Sequence, residues 1–136
     1  MRGVLVDTCI WSLALRGSKS KHENVVNELT RLIDENQVRI IGLIRQELLS
    51  GYSDKRSFDK LRKKISYFTN EPVIDADYEA AAEYSNLCRA KGVLGSHIDF
   101  LICAVSIRTN FPIFTTDKDF KNYSKHLPIS LYDRKN

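Results

Sequence analysis

Short runs of β-branched and aliphatic residues alternate with stretches of helical periodicity along this sequence. Strands separated in this way run parallel, because a tight hairpin cannot join them, and a parallel sheet needs helices over both faces. The expected architecture is therefore α/β, a three-layer α/β/α domain with a mainly parallel central sheet.

Val4-Leu5-Val6 reads as the first strand and stops at Asp7-Thr8, either of which can cap a following helix. Ile10, Trp11, Leu13, Ala14 and Leu15 supply that helix's apolar face, and Gly17-Ser18 ends it. Val25, Val26, Leu29, Leu32 and Ile33 mark a second helix over residues 23–35, broken by Asn36-Gln37. Residues 38–44 read as a buried strand and 45–50 as a helix with Glu47 in its first turn. Residues 57–68 form a basic amphipathic helix with Phe58, Leu61, Ile65 and Phe68 inward. Further strands are expected at 72–74, 112–115 and 129–132. Further helices are expected at 75–89, capped by Asp75 or Asp77, from Ser96 to about Ile107, and at 120–126. No repeat or linker interrupts the pattern, and 136 residues fit a single domain spanning 1–136.

Composition narrows the class. With 43% hydrophobic residues the chain can build a core without a metal or disulfide staple, and 28% charged residues do not suggest long disorder. No apolar run approaches the roughly 20 residues of a membrane span. Asp7 interrupts the N-terminal apolar stretch, so a signal peptide is not expected. Cys9, Cys88 and Cys103 are odd in number and have no CxxC spacing. Together these features predict a protein of a reducing compartment, the cytoplasm, without a zinc site or disulfide framework. Cys9 and Cys103 lack a base partner and read as small buried hydrophobes. The net charge of +4 is compatible with nucleic-acid binding. The basic residues cluster as Lys55, Arg56, Lys60, Arg62, Lys63 and Lys64 in one stretch, and as Arg16, Lys19 and Lys21 in another.

In open parallel sheets, ligands bind beyond the carboxyl ends of the strands, near the point where strand order reverses. Asp7 directly follows the first strand, Asp117 follows strand 112–115 with Asp119 two residues on, Glu47 follows strand 38–44, and Asp99 opens the helix begun by Ser96. Acids from four separate segments thus aim at one edge. Such a cluster cannot stay fully ionised without compensation, and for oxygen donors the usual compensation is Mg²⁺ or Mn²⁺. Singly, each acid has a plainer reading: Asp7 and Asp117 as helix caps, Asp99 as the end of a Ser-x-x-Asp capping box, Glu47 as an exposed carboxylate. His22, His97 and His126 have no ligand-like spacing, and His97 reads as a surface residue at a helix start.

Four pieces, in order, resemble the PIN domain, and specifically the VapC-like ribonuclease toxins of type II toxin–antitoxin modules. They are Val4-Leu5-Val6-Asp7-Thr8-Cys9-Ile10-Trp11, Arg45-Gln46-Glu47-Leu48-Leu49-Ser50-Gly51, Ile98-Asp99-Phe100-Leu101-Ile102-Cys103-Ala104 and Ile113-Phe114-Thr115-Thr116-Asp117-Lys118-Asp119-Phe120. The resemblance covers essentially the whole chain. It implies a PIN-like fold and an Mg²⁺- or Mn²⁺-dependent endoribonuclease. Asp7, Glu47, Asp99 and Asp117 would be the catalytic, metal-holding acids, with Asp119 as a further ligand. Thr116 would hold a neighbouring acid or a metal-bound water through its hydroxyl, with Thr8 supporting. Cys9 stands where a Ser or another small residue is common. A cognate antitoxin and a symmetric homodimer are implied as partners.

RNA would be held through its phosphates by Arg16, Lys19, Lys55, Arg56, Lys60, Arg62, Lys63 and Lys64, with Tyr52 or Trp11 available to stack a base. The basic run also reads as a solvated helix face, and Trp11 as core or a partner anchor. Two other classes are open at this stage: a PIN nuclease of RNA processing or decay, and a catalytically silent acidic-pocket binding module. A response-regulator receiver would need adjacent acids after the first strand, and a phosphohydrolase Asp-x-Asp pair is precluded there by Cys9.

Overall fold

The computed structural model describes residues 3–16 and 22–133. Its elements, in order, are β1 (Val4–Val6), α1 (Thr8–Leu15), α2 (Glu23–Asp34), β2 (Val38–Arg39), α3 (Gly42–Ser50), α4 (Lys55–Ile65), α5 (Asp75–Ala90), α6 (His97–Thr109), β3 (Ile113–Phe114) and α7 (Asp119–Ser124). The sheet has the order β2-β1-β3, with β1 parallel to both neighbours. All three residues of β1 are buried, as a central strand covered on both faces requires.

Single bridges widen the sheet on each side. Asn70 pairs in parallel with Ile40, and Leu131 with Ile113. With right-handed crossovers, stepping outward from β1 through β2 to Asn70 lays α1–α4 on one face, and the return to β3 lays α5 and α6 on the other. The packing agrees: α1 touches α2 and α3, α3 touches α4, and α5 lies along α6, which also meets β3. The expected α/β class with a parallel sheet is what forms.

Several expected boundaries move. Residues 38–44 are not one strand: the strand ends at Arg39, and α3 begins at Gly42. Buried Ile41, Ile44 and Leu48 recur at helical spacing, and that periodicity overrides the strand preference of the β-branched run. Glu47 therefore sits in the second turn of its helix. Residues 72–74 form no strand; only Asn70 reaches the sheet, and Ile74 turns outward as the cap of α5. The expected strand at 129–132 is reduced to one bridge, supported by Tyr132 N–H donating to Ile113 O at 2.7 Å. Helix α4 starts earlier than expected because Asp54 accepts from Ser57 N–H at 2.9 Å. The expected helix stop at Gly17-Ser18 lies outside the described residues.

One buried ion pair anchors α5 to α6. Asp77, 2% exposed, receives two hydrogen bonds from Arg108, at 2.8 Å from Nε and 3.0 Å from Nη2. It also accepts from Ile74 N–H at 3.0 Å. Burial alone would raise its pKa, but the guanidinium and the backbone donor outweigh it and hold the carboxyl below its ordinary 3.8. Arg108→Ala would strand a buried charge and cost on the order of 2–3 kcal/mol of stability in urea unfolding. The pair's contribution should be complete above pH ~3.8 and disappear as acid titrates Asp77 below it.

Candidate metal centre

Strand β1 connects outward to β2 while β3 lies on its other side, so the crevice where strand order reverses falls between the carboxyl ends of β1 and β3. Asp7 stands at the first of these ends and Thr115-Thr116-Asp117 at the second. Asp7 caps α1, its Oδ1 accepting Thr8 N–H at 2.8 Å. Its Oδ2 accepts the Thr115 hydroxyl at 2.9 Å, and the same hydroxyl oxygen accepts Asp117 N–H at 2.9 Å. Asp117 Oδ1 then accepts Asp119 N–H at 2.9 Å. This chain of short-range bonds shapes the loop that presents both acids.

Asp99 arrives from the opposite layer. Ser96 caps α6 by accepting Asp99 N–H at 3.1 Å, which fixes the backbone, and Tyr123 donates its hydroxyl to Asp99 Oδ2 at 2.7 Å. Carboxylate oxygens of Asp99, Asp117 and Asp119 lie within 4.8 Å of one another. Glu47 joins through Thr8, whose hydroxyl donates to its Oε1 at 2.5 Å. Asp99, Asp117 and Asp119 thus meet directly, Asp7 feels the Asp99 charge, and Glu47 is tied to Asp7 by way of one threonine.

Burial raises the Asp7 pKa above 3.8 against hydrogen bonds from Thr115, Thr8 and Cys9, and the Asp99 charge adds to the rise. Asp99 is raised by burial against the bonds from Tyr123 and Ser96, with Asp117 and Asp119 repelling its anion. Among the described residues, none of these five carboxylates takes part in a salt bridge. An all-oxygen, uncompensated anionic cluster is the donor chemistry of a hard divalent cation. Oxygens on one Mg²⁺ lie at most about 4.2 Å apart, twice a bond of about 2.1 Å. The three oxygens of Asp99, Asp117 and Asp119 already stand within 4.8 Å of one another, close to that span, and the residues fit such an ion.

Two expected details change. The hydroxyl that holds an acid belongs to Thr115; Thr116 instead donates to Cys9 Sγ at 3.4 Å. Cys9 is not a simple buried hydrophobe: its half-buried thiol lies 3.5 Å from Asp7 Oδ2 and accepts Thr116 N–H at 3.4 Å. Sequence reasoning missed Thr115, whose only signal was its place at the strand's end, and Tyr123, whose apolar spacing with Phe120 announced burial alone. Cys103 is fully buried, as expected.

The basic residues form a separate surface. Lys55, Arg56, Lys60, Arg62, Lys63 and Lys64 are exposed on α4, where Lys55 and Arg62 pair with Asp59. Lys60 and Lys64 line a cleft of about 170 Å³ with Leu15, Tyr52, Ser57 and Leu61. Leu15 ends α1, so this cleft lies about 11 Å along the helix from Thr8. Arg16 is exposed at the same end, while Lys19 and Lys21 lie outside the described residues. Trp11 is only 3% exposed, packs edge-on against Phe68 and donates to Val6 O, so it is core and offers no stacking platform. His97 lines an apolar groove with Leu43, Tyr78 and Ala81.

Residues 4–126 match the family described as PIN domain. No curated protein is similar enough in sequence to count as a match. Among solved structures, FitAcB from Neisseria gonorrhoeae superposes with a TM-score of 0.77 at 20% identity, covering 96% of each chain. VapBC2 from Rickettsia felis, bound to a DNA fragment from their promoter, gives 0.75 at 20% identity over 97% of this chain and 98% of that one. FitAB bound to the IR36 DNA fragment gives 0.73 at 16% identity over 95% and 93%.

The raised carboxyls have a thermodynamic consequence with a definite sign. Stability contributed by Asp7 and Asp99 is present below pH ~3.8 and is lost as pH rises through their higher folded-state values. At neutral pH and without metal, Asp99→Asn should therefore raise the melting midpoint by a few degrees. The gain should vanish near pH 3.5 and be offset by added divalent cation, both measurable by calorimetric melting.

Proposed function

The chain belongs to the PIN domain family, whose members are generally nucleases, and from that premise we propose that it is a divalent-metal-dependent endoribonuclease, the toxin of a VapBC-type pair. The observation that carries this reading is the uncompensated carboxylate cluster at the strand-order reversal. Asp99, Asp117 and Asp119 would hold Mg²⁺ or Mn²⁺, with Asp7 and Glu47 completing the anionic wall. When bound, the cation supplies charge neutralisation at the scissile phosphate and a more acidic water.

The chain's own side chains do the positioning. Thr115 and Thr8 keep the Asp7 carboxylate facing the crevice, and one Thr115 oxygen sets the Asp117 backbone as well. Glu47 spends one oxygen on Thr8, leaving the second to orient a water. No serine or cysteine nucleophile enters; the Cys9 thiol is occupied by Asp7 and the Thr115–Thr116 hydroxyls. Lys60, Lys64 and Tyr52, about a helix length away, would guide the RNA backbone, and Arg16, Lys55, Arg56, Arg62 and Lys63 would add a diffuse positive field. The pair names of the structural neighbours support an antitoxin partner, the family resemblance supports a homodimer, and the number and spacing of the cysteines support a cytoplasmic setting.

Incubating the protein with a mixed RNA pool and Mg²⁺, Mn²⁺ or EDTA tests the reading. Cleavage should need metal and fall roughly a hundredfold or more in Asp7→Asn and Asp99→Asn, the scale on which one preorganised electrostatic contact acts. Metal-independent cleavage, or cleavage unaltered by both substitutions, would overturn it. Lys60→Glu with Lys64→Glu should weaken RNA binding and flatten its salt dependence, by up to about two units in the log–log slope, in a filter-binding series.

A further inference from the structure

Tyr123 is fully buried in α7, its ring packed on Phe100 at 4.9 Å and on Phe120 at 5.2 Å between centroids. A buried phenol needs a partner for its hydroxyl, and here the partner is Oδ2 of Asp99. The approach is tightly bounded. A Cβ at residue 95 would collide with the Tyr123 hydroxyl oxygen and stand 2.8 Å from its Cζ and 2.9 Å from Phe100 Cε2. Only glycine lets the loop before α6 close over the phenol.

Asp99 needs that restraint. Carboxylate torsions of aspartate are broad and soft, and Asp117 and Asp119 repel this one. Ser96 fixes the Asp99 backbone and its hydroxyl also reaches the carboxylate, so the phenol is the second, far-side restraint on that side chain. We propose that Tyr123 is a positioning residue that pins the Asp99 carboxylate toward Asp117 and Asp119, and that Gly95 is required because its missing side chain admits the phenol. The assignment rests on reading the acid cluster as a divalent-cation site.

Calorimetric titration of the RNA-free protein with Mn²⁺ separates the possibilities. Tyr123→Phe keeps the ring and its packing and removes only the hydroxyl. Its Mn²⁺ affinity should fall about tenfold or more, as for other groups that orient metal ligands. Asp99→Asn serves as the reference for loss of the ligand itself. If the native protein binds Mn²⁺, Asp99→Asn does not, and Tyr123→Phe matches the native protein, the positioning role is overturned and the metal site stands. A lower melting midpoint in Tyr123→Phe with unchanged affinity would mark the hydroxyl as merely structural and would also overturn it. No Mn²⁺ binding by the native protein would overturn both. Should Tyr123→Phe be too unstable to titrate, Gly95→Ala, which displaces the hydroxyl without removing it, should show the same loss of affinity.

Discussion

The hydrogen bond from the Thr115 hydroxyl to the Asp7 carboxylate joins the carboxyl ends of β1 and β3 where the strand order reverses. Asp7 is 7% exposed, and it caps α1 with its other oxygen. One side chain therefore ends the central strand, starts the first helix and faces the crevice. Thr115 passes the constraint on, because its oxygen also receives the Asp117 backbone and so sets the loop that carries Asp117 and Asp119. The backbone ladders set the order of the sheet, and these few side-chain bonds set how the acids sit where it reverses.

Buried Asp77 and half-buried Asp99 show how differently the fold treats charge. Asp77 is given a guanidinium and a backbone donor, and in return it holds α5 against α6. Asp99 is given a phenol and a capping serine, both neutral, and is set beside two more carboxylates. The first arrangement lowers a carboxyl pKa and the second raises one, though burial pushes both upward. Charge is neutralised where the helices need anchoring and left unmatched at the crevice, where a cation and a phosphate would complete it.

The candidate acids were legible because strand ends are legible. Val4-Leu5-Val6 and Ile113-Phe114 are short apolar runs with an acid one to three residues beyond, and the crevice rule converts that position into a direction. Glu47 was legible as an acid but not in its place, since the β-branched run before it conceals a helix start. Thr115 and Thr116 are chemically alike, and which hydroxyl faces Asp7 depends on the turn the loop takes after β3. Tyr123 carried a signal for burial and none for the atom its hydroxyl would meet, because Asp99 lies 24 residues earlier, on another helix.

The sequence by itself determined the class of the domain and the edge of the sheet toward which its candidate acids point. Periodicity and strand–helix order are local properties, and they dictate what must be buried and which chain ends can share an edge. Only the tertiary structure decided which acids meet, which hydroxyls hold them and why residue 95 has no side chain. Those are contacts between residues far apart in sequence, set by packing distances of a few ångströms that no local pattern encodes.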